Sequence, residues 1–206
     1  MKNIKRLCLL IGAVMLFAVT DATAQRMKLN INYGVGIPAS SGLKDYVSNT
    51  SFRGWNANLL YEVNDQWSMG LGVGMQSFYQ KYPRAIYKTD EGSDLSAVVT
   101  NTATAMPILV QGQFNLLPEA KVQPYVGLGI GANVGTYRQY FGEFANSKTK
   151  LGFAARPEAG INIPVGRYRE SGIVVGAAYN YLPFNQDNLT DMNNLGLHAG
   201  FRFPLR

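Results

Sequence analysis

Eight segments of the sequence alternate apolar residues with glycine or polar residues at a period of two. In the cleanest of them, apolar residues occupy every second position from Trp67 to Met75, serine and glycine fill the positions between, and Gln76 follows in the polar phase. A period of two sends alternate side chains to opposite faces of a β-strand, whereas a helix requires a period near 3.6. The pattern therefore predicts an all-β chain without helices after the amino-terminal region. The strands are expected to begin near residues 27, 54, 67, 102, 122, 151, 173 and 195.

The first 24 residues have the composition of an export signal. Three basic residues precede an apolar run over 7–19, and the small residues at 22–24 offer a cleavage point. The run is shorter than the roughly 20 residues that cross a bilayer core, so a cleaved signal peptide is favoured over a retained membrane helix. We predict a signal peptide over 1–24 and a single domain over 25–206. Cys8, the only cysteine of the chain, lies in the removed part.

The connections between the alternating segments are short and long in turn. The short ones lie near 64–66, 117–121 and 166–171, and the longer ones near 38–51, 81–101, 138–149 and 183–193. An up-and-down sheet places successive connections at opposite ends, so short turns collect at one end and long loops at the other. In an outer-membrane barrel the end with short turns and both termini is periplasmic.

Alternation alone fits a membrane barrel or a soluble barrel with a dry interior. Only 16% of the residues are charged, against roughly 25% in typical soluble domains. The polar phase is mostly glycine, asparagine, glutamine and serine, which suits a narrow lumen better than a water-facing exterior. Several segments reach ten alternating residues, close to the roughly 9 to 11 that cross a bilayer at a tilt. We therefore favour an eight-stranded antiparallel up-and-down transmembrane β-barrel.

Aromatic residues of the apolar phase fall at the strand ends, as two interfacial girdles require. The predicted outer girdle consists of Trp55, Tyr79, Phe153, Tyr179 and Tyr181, and the predicted periplasmic girdle of Tyr61, Trp67, Phe114, Phe201 and Phe203. A soluble core gives no reason to sort rings in this way.

The last segment carries the sharpest local motif. His198, Gly200, Phe203 and Leu205 resemble the last-strand signal read by the barrel assembly machinery, although Arg206 stands where that signal has a terminal aromatic. Together with the alternating segments, residues 25–206 resemble the small outer-membrane β-barrel families typified by OmpA's membrane domain and OmpX, and the broad group of outer membrane protein β-barrel domains. The resemblance implies a Gram-negative outer-membrane location, contact with its lipid and biogenesis through the assembly machinery.

Five charged residues share the polar phase. Lys28, Glu62, Arg156, Glu158 and Arg202 are expected to form a paired network inside the barrel, because an unpaired buried charge is costly. The alternative is that they are hydrated separately in a watery lumen. A paired network would partly plug the barrel, since an eight-stranded interior is just wide enough for side chains.

Catalysis, metal binding and nucleic-acid binding lack support in the sequence. His198 is the only histidine, and the lipid A deacylases that this fold resembles require a serine two residues further on, where Gly200 stands. Without Cys8 the domain has no thiol, and the loss of three basic residues and Asp21 lowers the formal net charge from +6 to +4. No basic block suited to nucleic acid remains, and no cofactor is predicted.

Three functions stay open at this stage. The favoured one is a non-enzymatic scaffold that supports the envelope or binds an extracellular or envelope partner through its outer loops, of which 81–101 is the longest. The alternative is a narrow porin-like channel for small solutes or ions. A lipid-modifying enzyme is the distant third.

Overall fold

A computed structural model of the protein describes residues 27–88, 94–141, 144–166, 170–186 and 189–205. The predicted signal peptide lies outside these residues, as does Arg206, so the domain boundary stays a prediction. The elements, in chain order, are β1 (Met27–Pro38), α1 (Ser41–Tyr46), β2 (Ser51–Glu62), β3 (Trp67–Lys81), β4 (Ala85–Lys88), β5 (Asp94–Ala97), β6 (Val99–Asn115), β7 (Gln123–Phe141), β8 (Phe144–Val165), β9 (Ser171–Asn180), β10 (Pro183–Gln186), β11 (Leu189–Asp191) and β12 (Asn194–Leu205).

Eight of these strands form one closed antiparallel barrel. Its order is β1-β12-β9-β8-β7-β6-β3-β2, and β1 closes the ring by pairing with both β12 and β2. Each barrel strand contains one of the eight alternating segments, so the predicted fold is confirmed. The β1–β12 seam is continuous from Met27 opposite Leu205 to Pro38 opposite Asn194.

The polar phase of each barrel strand faces inward. In β1, Asn30 and Asn32 are buried, whereas Ile31 is 49% exposed and Tyr33 is 55% exposed. The apolar phase therefore covers the outside of the barrel, the reverse of a soluble barrel with a dry core. Only lipid satisfies an exterior of this kind.

Two short turns use local chemistry suited to a tight reversal. The side-chain oxygen of Asn64 accepts hydrogen bonds from the backbone N–H groups of Gln66 (2.9 Å) and Trp67 (2.7 Å). Gly166 ends β8 with φ of 88°, in the left-handed region that favours glycine. Both turns lie at the end of the barrel that carries the amino terminus of β1.

The connection predicted near 138–149 is instead a continuation of two strands. β7 runs to Phe141 and β8 begins at Phe144, with Tyr137 opposite Lys148 and Arg138 opposite Ser147. Backbone pairing persists here although the apolar alternation stops, because beyond the membrane both faces of the ribbon meet polar surroundings. The alternating pattern records the lipid boundary and not the end of the strand.

Three of the long connections contain elements of their own. The prediction of no helix is wrong for the loop after β1, where α1 forms with the Ser40 hydroxyl accepting from the Leu43 N–H at 3.4 Å. A helix of six residues is too short to show a period of 3.6 in the sequence. β4 pairs with β5 and β10 with β11 as small hairpins. No helix among the described ranges is long and apolar enough to cross a membrane.

Candidate functional site: the barrel lumen and its outer plug

Asparagine and glutamine side chains fill the periplasmic half of the lumen. Asn32 donates to the Asn56 oxygen at 2.8 Å across β1 and β2. Arg202, almost fully buried, donates from Nε to Asn30 Oδ1 at 2.9 Å and from Nη2 to Gln113 Oε1 at 3.5 Å. Hydrogen bonds of this kind stabilise buried polar groups and hold these particular side chains in place.

The five predicted lumen charges lie in three separate arrangements. Lys28 Nζ pairs with Glu62 Oε1 at 2.6 Å near the periplasmic mouth, where both side chains stay partly exposed. Arg156 Nε lies 3.3 Å from Glu158 Oε2, and both of these side chains are more than nine-tenths buried. Arg202 has the amide partners given above. The structure thus shows two ion pairs and one amide-bound arginine, and not one connected network.

The single histidine lies inside the lumen beside a phenol. Tyr125 Oη is 3.2 Å from His198 Nε2, whereas His198 Nδ1 has no protein hydrogen-bond partner among the described residues. His198 and Arg156 both line a cavity of about 40 Å³. A cavity of this size holds a few waters, which would satisfy such atoms, and it is too small for a drug-sized ligand. Within the described ranges, no group of three or more His, Cys, Asp or Glu could hold a metal ion.

The outer half of the lumen contains a buried apolar cluster, which sequence reasoning missed. We use the name outer plug for residues 41–47, 182–186 and 189–192. Leu43, Val47 and Leu189 of the plug are fully buried, and Met192 is 1% exposed. Together with residues of the barrel wall they form one hydrophobic cluster: Leu43, Tyr46, Val47, Phe78, Ala103, Ala105, Leu109, Tyr137, Ala154, Leu182, Phe184, Leu189 and Met192.

Small residues on the inner wall make room for the plug. A Cβ added to Gly135 would lie 2.7 Å from the ring of Phe184, so this ring packs directly on the β7 backbone. Ala103 and Ala105 of β6 are both 1% exposed and belong to the same cluster. The sequence offered one signal for the plug: the outer loops contain apolar residues, and the inward-facing positions at the outer ends of the strands are occupied by small residues.

Hydrogen bonds fasten the plug to the strands that carry it. The Ala39 N–H donates to the Asn193 carbonyl at 3.1 Å, and the Ser40 hydroxyl bonds to the Asp191 carboxylate. On the opposite side of the barrel, the Tyr46 hydroxyl donates to the Arg138 carbonyl at 3.1 Å. Burial, together with the neighbouring Tyr137 phenol, raises the pKa of Tyr46 above its ordinary value of 10.0, so Tyr46 stays a neutral donor.

The ten aromatic residues predicted as girdles all lie on the outward phase. Trp67 and Phe114 are opposite each other at the periplasmic end, with ring centroids 4.8 Å apart. At the other end, Phe153 and Tyr181 make an edge contact at 6.5 Å. Tyr33, absent from the prediction, adds a further outward ring beside Trp55. The role of these rings as membrane anchors stays a prediction.

The four residues predicted as the assembly signal lie along β12 at the closing seam. His198 faces the lumen, whereas Phe203 and Leu205 are exposed on the outward phase. Gly200 is held against β1, since an added Cβ would lie 2.0 Å from the Ile31 carbonyl oxygen. This contact gives Gly200 a packing reason independent of any recognition signal, which itself stays a prediction.

Comparison with known proteins supports the architecture. The family model for the outer membrane protein beta-barrel domain matches residues 7–203. Among solved structures, Neisserial surface protein A has a TM-score of 0.55 at 16% identity, with 87% of this chain and 97% of that chain covered. OprG of Pseudomonas aeruginosa has a TM-score of 0.48 at 12% identity, covering 86% and 94%. Ail of Yersinia pestis, solved with the heparin analogue sucrose octasulfate, has a TM-score of 0.47 at 16% identity, covering 86% and 96%.

No curated protein matches the sequence significantly. At 16% identity the likeness to Neisserial surface protein A shows the fold alone, while the family match extends over nearly the whole sequence. The chain therefore belongs to the outer membrane protein beta-barrel domain family and resides in the outer membrane.

Proposed function

We propose that this protein is a non-conducting, non-enzymatic scaffold of the outer membrane whose outer surface binds a partner. The observation that carries the proposal is the outer plug, which fills the outer half of the lumen with buried apolar side chains. An ion that crossed this region would lose its hydration without gaining polar partners, and such a transfer is very costly. The plug is therefore expected to prevent conduction however well the periplasmic half is hydrated.

The surface available to a partner is the ribbon formed by the outer parts of β7 and β8. Residues 146–150 are all exposed, and Arg138 is exposed opposite them. Lys150 donates to the Asn185 carbonyl at 2.8 Å, which connects the ribbon to the plug. A ribbon held in this way presents a fixed surface for recognition, and recognition residues on such scaffolds commonly lie in the outer connections.

A narrow pore is the second candidate, and the polar lumen favours it. Several buried polar atoms there, including both amide atoms of Asn133 and His198 Nδ1, lack a protein hydrogen-bond partner among the described residues. Such atoms require water, and hydrated amides could conduct if the plug moved aside. Catalysis has less support, because the Tyr125–His198 pair faces the lumen and is separated from the lipid by the barrel wall.

Single-channel recording of the folded protein in planar bilayers tests the proposal. We expect no conductance steps from the native chain. Leu189→Asp introduces a charge into the plug, whereas Thr190→Asp introduces the same charge at the adjacent exposed position and serves as the matched control. Steps from Leu189→Asp alone would show that the plug seals the barrel. Reproducible steps from the native chain would contradict the scaffold proposal and favour the pore.

A further inference from the structure

Two rows of outward-facing polar side chains lie just beyond the apolar band on five adjacent strands, β2, β3, β6, β7 and β8. Strand register defines the first row as Ser77, Thr104, Thr136 and Thr149. Arg53 of β2 extends this row, because Gly54 pairs with Gln76 and the next position on each strand brings Arg53 beside Ser77. The second row is Tyr79, Thr102, Arg138 and Ser147. We call these nine residues the hydroxyl belt, since seven of them carry a hydroxyl group and the other two are arginines.

The belt begins where the lipid-facing surface ends. The outward residues one step closer to the periplasm are Trp55, Met75, Met106, Val134 and Leu151, all of them apolar and related by the same strand pairings. The outward residue changes within two positions from apolar to hydroxyl-bearing on β3, β6, β7 and β8, and from apolar to arginine on β2. Because the short turns lie at the periplasmic end, the belt faces the headgroups of the outer leaflet.

The belt is confined to one side of the barrel. On the other side, the last outward residues of the barrel strands are Tyr179, Leu195 and Ile37, which are neighbours by register. Beyond them β9 ends, β12 has not begun and β1 gives way to the plug. A general requirement of the membrane interface would surround the barrel, so the one-sided belt has the character of a site.

The belt combines cationic groups with hydroxyl groups in a fixed arrangement. Ser77 Oγ lies 3.0 Å from Thr104 Oγ1, and Thr136 Oγ1 lies 3.1 Å from Thr149 Oγ1. The Arg53 guanidinium lies over the Tyr79 ring, 5.3 Å from its centroid, beside a cleft of about 400 Å³. The Lys28–Glu62 and Arg156–Glu158 pairs lie inside the lumen, and the nine residues of the belt include no carboxylate.

This chemistry selects a ligand with phosphate and sugar groups. Arginine binds phosphate through several parallel N–H donors, and serine and threonine hydroxyls can both donate to and accept from sugar hydroxyls. Arg53 and Arg138 lie three strand spacings and one two-residue step apart, roughly 16 Å at about 4.8 Å per strand and about 3.4 Å per residue. Such a span suits two phosphates at opposite ends of a disaccharide headgroup.

We propose that the hydroxyl belt binds a phosphorylated glycolipid of the outer leaflet, with Arg53 and Arg138 contacting its phosphates. The site lies on the outer wall and does not depend on whether the lumen conducts. The acyl chains of the lipid would lie against the apolar residues below the belt, and the headgroup would lie along the two polar rows.

The test uses Trp55, which lies directly below Arg53. A Trp67→Phe background leaves Trp55 as the only tryptophan of the chain. The folded protein in detergent micelles is titrated with a bis-phosphorylated disaccharide lipid A, with the same lipid after removal of its phosphates, with phosphatidylglycerol and with inorganic phosphate. Glycolipid retained through purification is measured by mass spectrometry as a second readout. The matched control is Lys121→Ala, which removes one positive charge from a periplasmic turn.

We expect saturable binding of the phosphorylated lipid that weakens about tenfold in Arg53→Ala and in Arg138→Ala, since each removes a charged hydrogen bond. Binding should stay within about twofold in Lys121→Ala. Native affinity in both arginine variants would overturn the proposal. Equal binding of phosphatidylglycerol or of the dephosphorylated lipid would do the same, as would an emission change produced by inorganic phosphate alone.

Discussion

Replacing Gly200 with alanine should open the seam that closes the barrel. The added Cβ would lie 2.0 Å from the Ile31 carbonyl oxygen and 2.5 Å from Asn32 Cα, both backbone atoms of β1. Neither atom can move away without displacing the strand. Normal van der Waals contact would require β1 and β12 to separate by more than 1 Å at this point, because carbon and oxygen meet at about 3.3 Å.

The expected loss of stability follows from the steric clash and from the β1–β12 hydrogen bonds that the separation would break. Overpacking a fixed site costs typically 1–3 kcal/mol, and loss of two adjacent ladder hydrogen bonds adds about 1 kcal/mol each. We expect Gly200→Ala to lower the free energy of unfolding by about 3–5 kcal/mol. Gly112→Ala is the matched control, since nothing lies within 4 Å of its added Cβ. There the smaller entropy of the unfolded chain should leave stability unchanged or raise it by about 0.5 kcal/mol.

The measurement is urea-dependent folding into detergent micelles, followed by the mobility difference between unheated and boiled samples on SDS gels. Purified protein refolds without the assembly machinery, so a defect seen here is one of packing and not of signal recognition. If Gly200→Ala refolds with a stability within 0.5 kcal/mol of Gly112→Ala, the contact with β1 is not limiting and the reasoning is refuted. A defect seen only in cells would instead support the predicted recognition signal.

Three further predictions concern the lumen and the plug. Glu158→Gln leaves Arg156 buried without its partner and should lower the free energy of unfolding by about 3 kcal/mol. The double variant that also carries Arg156→Gln should recover much of this loss. Additive losses in urea titrations would show that the two residues are uncoupled. Leu43→Ala should destabilise the packing of the plug by about 3 kcal/mol. Trypsin should then cleave after the adjacent Lys44 while the barrel stays resistant. Unchanged cleavage would argue against a packed plug. Because the pKa of Tyr46 is raised on folding, plug stability should be complete below pH 10.0 and decline above it. Tyr46→Phe should remove that decline when cleavage by subtilisin, which is active in alkali and does not require a charged lysine, is measured against pH. An identical alkaline profile in the variant would exclude Tyr46 as its source.

The barrel could be predicted from the sequence because lipid imposes a period of two on every strand. A residue such as Ile31 must be apolar when its neighbours Asn30 and Asn32 face the lumen, and the structure places all three accordingly. Membrane-facing alternation is thus a direct record of the environment on either side of the strand. It gives the number of strands and the direction in which each face points.

The plug could not be predicted in the same way because its residues follow no period. Leu43 lies in α1 and Leu189 in β11, elements of six and three residues that are too short to show a period, and contact with distant strands buries both side chains. The extension of β7 and β8 was missed for a related reason, since Tyr137 opposite Lys148 gives no apolar alternation while the backbone pairing continues. The alternating pattern therefore identifies the strand segments that face lipid. The elements outside the membrane are determined by tertiary contacts, which leave no periodic pattern in the sequence.

The charges of the lumen show the same distinction on a smaller scale. Residue phase correctly placed Arg156 and Arg202 inside the barrel, yet it could not choose their partners. Arg156 lies near Glu158 two residues away on its own strand, whereas Arg202 bonds to amides of β1 and β6. Which side chains meet inside the barrel depends on their positions along the barrel axis. Those positions are set by the pairing register of the strands, whereas the alternation along one strand says only which face a residue occupies.

The position of the plug elements in the chain couples the plug to barrel closure. α1 directly follows β1, and β11 directly precedes β12, so the plug continues from the two strands that form the closing seam. The bond from Ala39 to Asn193 continues the β1–β12 ladder by one step beyond Pro38 and Asn194. Plug residues can therefore reach their buried positions only when these strands are paired, and plug contacts in turn hold the outer end of the seam closed. Gly200→Ala should accordingly expose Lys44 to trypsin before the rest of the barrel unfolds, whereas Leu43→Ala should increase the urea sensitivity of the seam.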